Sequence, residues 1–175
     1  MIAAPFEDWL AELLREDRDR VKVLLHDRGA IHFLFAWSLL EAESFDRFAT
    51  AEKLDTYAAQ LIAEGFDVES VRDAGAYFHD RYQDRARFDS LMHRQPSRRM
   101  TTLLSKPFSS LLPTDIVLLV LVVNYRYRNN MFHGNTGVVA WLEYTEQIQL
   151  CTATIQSIVT HAVRLRRASH AGRSQ

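Results

Sequence analysis

Apolar residues recur along the chain at three- and four-residue intervals, and the stripes they form predict helices. Phe6, Trp9, Leu10, Leu13 and Leu14 follow Pro5, a favourable first-turn residue, and mark an amphipathic helix that ends in the charged stretch 15–20. A short apolar piece, Val21 to Leu25, stops near Gly29. Residues 31–40 are apolar nearly all round, which predicts a helix buried on most sides. His32 within it reads as a hydrogen-bonded core or boundary histidine, because no second ligand type sits at metal spacing beside it.

Phe48, Ala51, Leu54, Tyr57, Ala58, Leu61 and Ile62 form the next stripe, closed by Gly65. Asp67 can cap a further helix carried by Val68, Val71, Ala74, Phe78 and Tyr82. Glu41, Glu43 and His79 lack the Glu-x-x-His pairs of a di-iron bundle, so that reading is set aside. From Arg85 to Pro113 the periodicity breaks. This stretch is expected to be a basic excursion, either a solvated loop or a guide for a polyanion.

Ile116 to Val123 is the most hydrophobic run and is β-branched enough to pass for a strand. No breaker falls between Asp115 and Asn130 and no other segment offers a partner strand, so it reads as a buried central helix capped by Thr114 and Asp115. After the glycines at 134 and 137, an apolar seam from Val138 through Trp141, Tyr144, Ile148, Cys151, Ile155 and Ile158 to Val163 predicts a final helix of about 30 residues. Cys151 on that seam reads as a small buried hydrophobe and not a reactive thiol.

These stripes imply an all-α bundle of about five to seven helices forming one domain over residues 1–167, with a basic flexible tail over 168–175. At 175 residues with 47% hydrophobic content the chain can bury a sizeable core. A single cysteine excludes an internal disulfide framework and fits a reducing compartment. The opening run has no basic segment ahead of an apolar one and does not read as a signal peptide, and Ile116–Val123 is too short to span a bilayer. The expectation is therefore a cytoplasmic protein with no membrane partner. The net charge of −1 conceals a division: residues 1–84 carry 18 acids and 9 bases, residues 85–175 carry 4 acids and 12 bases. A basic C-terminal half suits a polyanion, although acid and base could equally pair across the fold.

Candidate chemistry concentrates directly after the hydrophobic run, in Tyr125-Arg126-Tyr127-Arg128-Asn129-Asn130-Met131-Phe132-His133-Gly134. Arginine offers a fixed fork of donors to phosphate, histidine exchanges protons near neutral pH, and asparagine orients either. Arg128 and His133, five apart, stand roughly 140° from one another on a regular helix, so their convergence requires a bend, for which Asn129-Asn130 is the suitable place. Arg126 and His133, seven apart, share a face on an unbroken helix. The bland alternative is an ordinary helix end, with cations beside the terminal carbonyls.

The string Arg128-Asn129-Asn130-Met131-Phe132-His133, of the form R-x4-H with an amide after the arginine, resembles the signature of HEPN domains. The resemblance covers about ten residues. It implies a HEPN-like helical fold with the motif between two late antiparallel helices, and a metal-independent, cofactor-free endoribonuclease working by 2'-hydroxyl transesterification. Arg128, Asn129 and His133 would then be catalytic, with Arg126 and Asn130 contacting RNA. It further implies a homodimer with facing motifs, a toxin or defence role, and an antitoxin or nucleotidyltransferase partner. The alternative is a HEPN-like RNA-binding or protein-interaction module without turnover.

Overall fold

The computed structural model describes residues 5–45, 48–93, 97–132 and 142–171. Among these the chain is all-helical: α1 (Phe6–Leu14), α2 (Arg18–His26), α3 (Arg28–Ser44), α4 (Lys53–Ala63), α5 (Glu69–Arg81), α6 (Arg85–Met92), α7 (Arg98–Leu104), α8 (Pro113–Phe132) and α9 (Thr145–Ala171), with 3-10 turns at Phe108–Ser110 and over 142–144. The expected all-α class holds. The nine helices among the described residues exceed the expected five to seven, and local capping explains the excess. Arg15 adopts left-handed backbone (φ 56°) and ends α1, after which the Asp17 carboxylate accepts from the N–H groups of Asp19 and Arg20 to start α2. Asp27 closes α2 and opens α3, accepting from Gly29 N–H at 2.8 Å.

The stretch from Arg85 to Pro113 is not the loop its broken periodicity suggested. Asp84 accepts from Arg87 N–H and Ser97 from Met100 N–H, and these caps launch two short helices that bury Leu91, Met92, Met100 and Leu103 in the main core. Arg99 of α7 binds the Ala51 carbonyl and pairs with Asp55, tying the segment to α4.

α8 is the axis. It packs against α4, α5, α6, α7 and α9, and every residue from Ile116 to Val123 is at most 8% exposed. A fully buried aliphatic side chain contributes about 1.5–3 kcal/mol, which outweighs the few tenths that β-branching costs a helix. Pro113 occupies the first turn, where its missing N–H costs nothing. Gly75 lets α5 approach closely: a Cβ there would stand 3.0 Å from the Ile116 Cγ2. Gly65, at φ 79°, follows α4, and Asp67 accepts from Glu69 N–H at the start of α5 as expected.

α3 lies along α9 and differs from expectation. Phe33, Trp37 and Leu40 enter the core, but Ile31, Phe35 (68% exposed) and Leu39 face outward, and His32 is exposed. An all-round apolar sequence therefore marks a helix with one face in the core and a second that the described chain leaves uncovered. α1 packs on α2 and has no buried residue. α9 begins at Thr145 and runs through Ala171; Val138 and Trp141, expected at its start, lie outside the described residues. No helix among the described residues is long and apolar enough to cross a membrane.

Candidate functional site

α8 stays helical through Asn129-Asn130 to Phe132, so the bend expected there does not occur within the described residues. At 100° per residue its last turns divide cleanly. Asn124, Tyr127, Asn130 and Met131 face the interior, while Tyr125, Arg126 and Asn129 occupy the adjoining, partly exposed arc, with Arg126 about 40° around the helix from Asn130. Burial lowers the Arg126 guanidinium below its usual value, as expected for a half-covered cation. Tyr125 packs its ring on Trp37 of α3, with centroids 6.2 Å apart.

Arg128 also reaches toward α3. Its Nη1 donates to Asn129 Oδ1 at 2.9 Å, and its Nη2 stands 4.0 Å from Glu41 Oε1, the same oxygen that accepts from Ala49 N–H. Asn129 thus holds Arg128, while Glu41 draws the guanidinium onto the bundle. His133 and Gly134 lie outside the described residues. The structure joins Arg128 to Asn129, leaves Arg126 partly exposed on the same helix end and turns Asn130 inward.

Asn130 donates to the Leu91 carbonyl at 3.2 Å and borders a cavity between α5, α6, α8 and the start of α9. Arg81, Tyr82, Arg87, Tyr127 and Tyr144 also line it. Sequence reasoning did not single these out as a group, because they come from separate elements; the only signal was the concentration of arginines from 81 to 87.

Other candidates resolve into packing. Glu41 pairs with Arg128, Glu43 with Arg166 at 2.6 Å, and His79 donates from Nε2 to the Lys106 carbonyl at 2.9 Å, so the three acidic and imidazole groups noted in the sequence serve separate contacts. Cys151 is fully buried, and desolvation pushes its thiol well up, as a buried hydrophobe requires. Deeper in α8, Asn124 donates to the Val120 carbonyl at 2.8 Å and to the Thr154 hydroxyl at 3.0 Å, joining α8 to α9. No protein-family model matches the chain, and neither does any curated protein or solved structure.

Proposed function

We propose that the protein is a HEPN-like, metal-independent endoribonuclease whose site lies at the C-terminal end of α8. His133 withdraws the proton from a ribose 2'-hydroxyl, the oxygen attacks the adjacent phosphorus, and the 5'-oxygen leaves, giving a 2',3'-cyclic phosphate and a free 5'-hydroxyl. The leaving oxygen takes its proton from the His133 of a second copy. The observation that carries this reading is the donor cluster at the helix end, with Arg126 and Asn129 on one accessible face.

The continuous helix shifts the choice of arginine. On a regular helix seven residues turn about 700°, within roughly 20° of two full turns, so the straight course of α8 through Asn129-Asn130 favours Arg126 as the motif arginine. Arg126 then stabilises charge on the phosphoryl oxygens, and Asn129, whose Oδ1 is taken by Arg128, offers its amide N–H to the phosphate. Arg128, drawn to Glu41, holds the helix end against α3.

A second copy has a surface to occupy. No charged residue occurs from Gly29 to Leu40 of α3 or from Gln147 to Thr160 of α9, in a chain that is 25% charged, so the exposed Ile31–Phe35–Leu39 face can meet its own copy without like-charge repulsion.

Cleavage of RNA in excess chelator by wild type and the Arg126→Ala, Arg128→Ala and His133→Ala variants tests the reading. The expected result is loss of at least about 100-fold for His133→Ala and Arg126→Ala, the effect of removing one preorganised donor. Equal cleavage by all four proteins sinks it. The pairing of Arg128 with Glu41 favours a second reading, a non-catalytic RNA-binding module, in which the motif residues are structural and no variant or wild type cleaves.

A further inference from the structure

We propose that the cavity between α5, α6, α8 and the start of α9 binds one nucleotide unit of a single-stranded RNA, with the base inside and its phosphate at the rim. This deepens the reading above and rests on it for the identity of the strand as RNA. The cavity holds about 260 Å³. That is just under the roughly 300 Å³ at the lower end of small-molecule sites, which suits a single base with its sugar and not a stacked pair.

Its lining suits a flat ligand that carries negative charge. Tyr127 and Tyr144 meet edge to face at 5.9 Å and present aromatic surface to the space. Arg81 and Arg87 line it, no carboxylate does, and neither arginine is in a salt bridge among the described residues. Asp84, outside the lining, accepts from Arg87 N–H at 3.0 Å, and that bond, with the charges of Arg87 and Arg81, holds its carboxyl below the usual value. The Arg81 Nε is buried without a hydrogen-bond partner. Two arginines facing an aromatic-walled space repel cations and attract phosphate.

The polar groups inside can read a base. Tyr127 accepts from the Tyr82 hydroxyl and so has its own proton to give. Asn130 commits one N–H to the Leu91 carbonyl, which leaves its Oδ1 as an acceptor. A base can enter only from an unstacked strand, which selects single-stranded over duplex RNA. Asn130 also connects the cavity to the face described above: Arg126 stands about 40° around α8 from it, so the neighbouring phosphate of the strand falls on the Arg126 side.

Calorimetry on the full chain with a short single-stranded 2'-O-methyl RNA, which lacks the attacking hydroxyl, separates binding from cleavage. Ala86→Trp, at an exposed rim position, fills the cavity and is expected to weaken binding at least tenfold, the loss of one stacked base. Arg87→Gln, also exposed, is expected to weaken it several-fold and to lower the slope of log K against log salt by about one. Wild-type affinity in both variants overturns the proposal, as does an absence of binding by wild type. A nucleoside monophosphate that binds as tightly as the strand overturns the strand part, and inorganic phosphate that does so overturns the base part. Cleavage that persists while Ala86→Trp binds normally removes the cavity and keeps the nuclease. Cavity-dependent binding without any cleavage removes the nuclease and keeps the cavity.

Discussion

The Tyr82 hydroxyl donates to the Tyr127 hydroxyl at 3.0 Å, and this bond joins the residue capping α5 to the penultimate turn of α8. Both phenols are buried, and desolvation, with their mutual contact, pushes the Tyr127 phenol far up; desolvation does the same to Tyr82. Tyr57, buried and donating to Ser44, is pushed up to about 12.

These shifts set an alkaline limit on stability. A phenol ionises near pH 10 in the unfolded chain but later in the folded one, so its contribution is complete below about pH 10 and is lost as pH rises beyond it. Melting temperature is expected to stay level up to about pH 9.5 and then fall. Tyr127→Phe should cost about 1 kcal/mol at neutral pH, from the lost acceptor of Tyr82, and should flatten the alkaline fall. An unchanged alkaline profile in that variant would contradict the assignment.

Asn124 offers a test of buried polarity. Its Nδ2 is bonded twice, but its Oδ1 is buried with no hydrogen-bond partner, and the Thr154 hydroxyl also donates to the Cys151 carbonyl. Asn124→Leu removes the unpaired oxygen and leaves Thr154 bonded, so chemical denaturation should show a change within about 1 kcal/mol. Asn124→Ala, which adds a cavity, should cost about 2 kcal/mol or more.

Gly75 is required by space and not by backbone conformation. Any side chain there meets Ile116 and Phe108, so Gly75→Leu should lose about 1–3 kcal/mol in urea unfolding despite the better helix propensity of leucine. A stabilised Gly75→Leu would show that α5 and α8 can separate freely.

The outward face of α3 makes the last prediction. Phe35→Glu places a charge at the centre of an uncharged face without touching the core. Wild type is expected to sediment as a dimer, and the variant as a monomer with a melting temperature independent of protein concentration. A wild type that remains monomeric throughout the micromolar range removes the second copy from the cleavage scheme.

How much of this was readable beforehand follows from physical range. α8 was legible because length and the lack of breakers decide between helix and strand locally. α3 was misread in part, since Phe35 and Leu39 look the same in sequence whether a core or another chain covers them. The helices α6 and α7 were hidden because each buries only two residues and exposes arginines elsewhere. The choice between Arg126 and Arg128 depends on the straightness of a helix end, which neighbouring Glu41 and Leu91 influence from distant parts of the chain. The cavity was invisible for the same reason: its arginines and tyrosines meet only after the helices have docked.

The burial of Ile116 to Val123 of α8 on every side also orders events during synthesis. The helices α4 and α5 pack against it, so they have no completed seat until the ribosome has released the chain past Phe132, well beyond the midpoint. The bundle is therefore expected to close late, with more than a hundred residues of nascent chain preceding their axis.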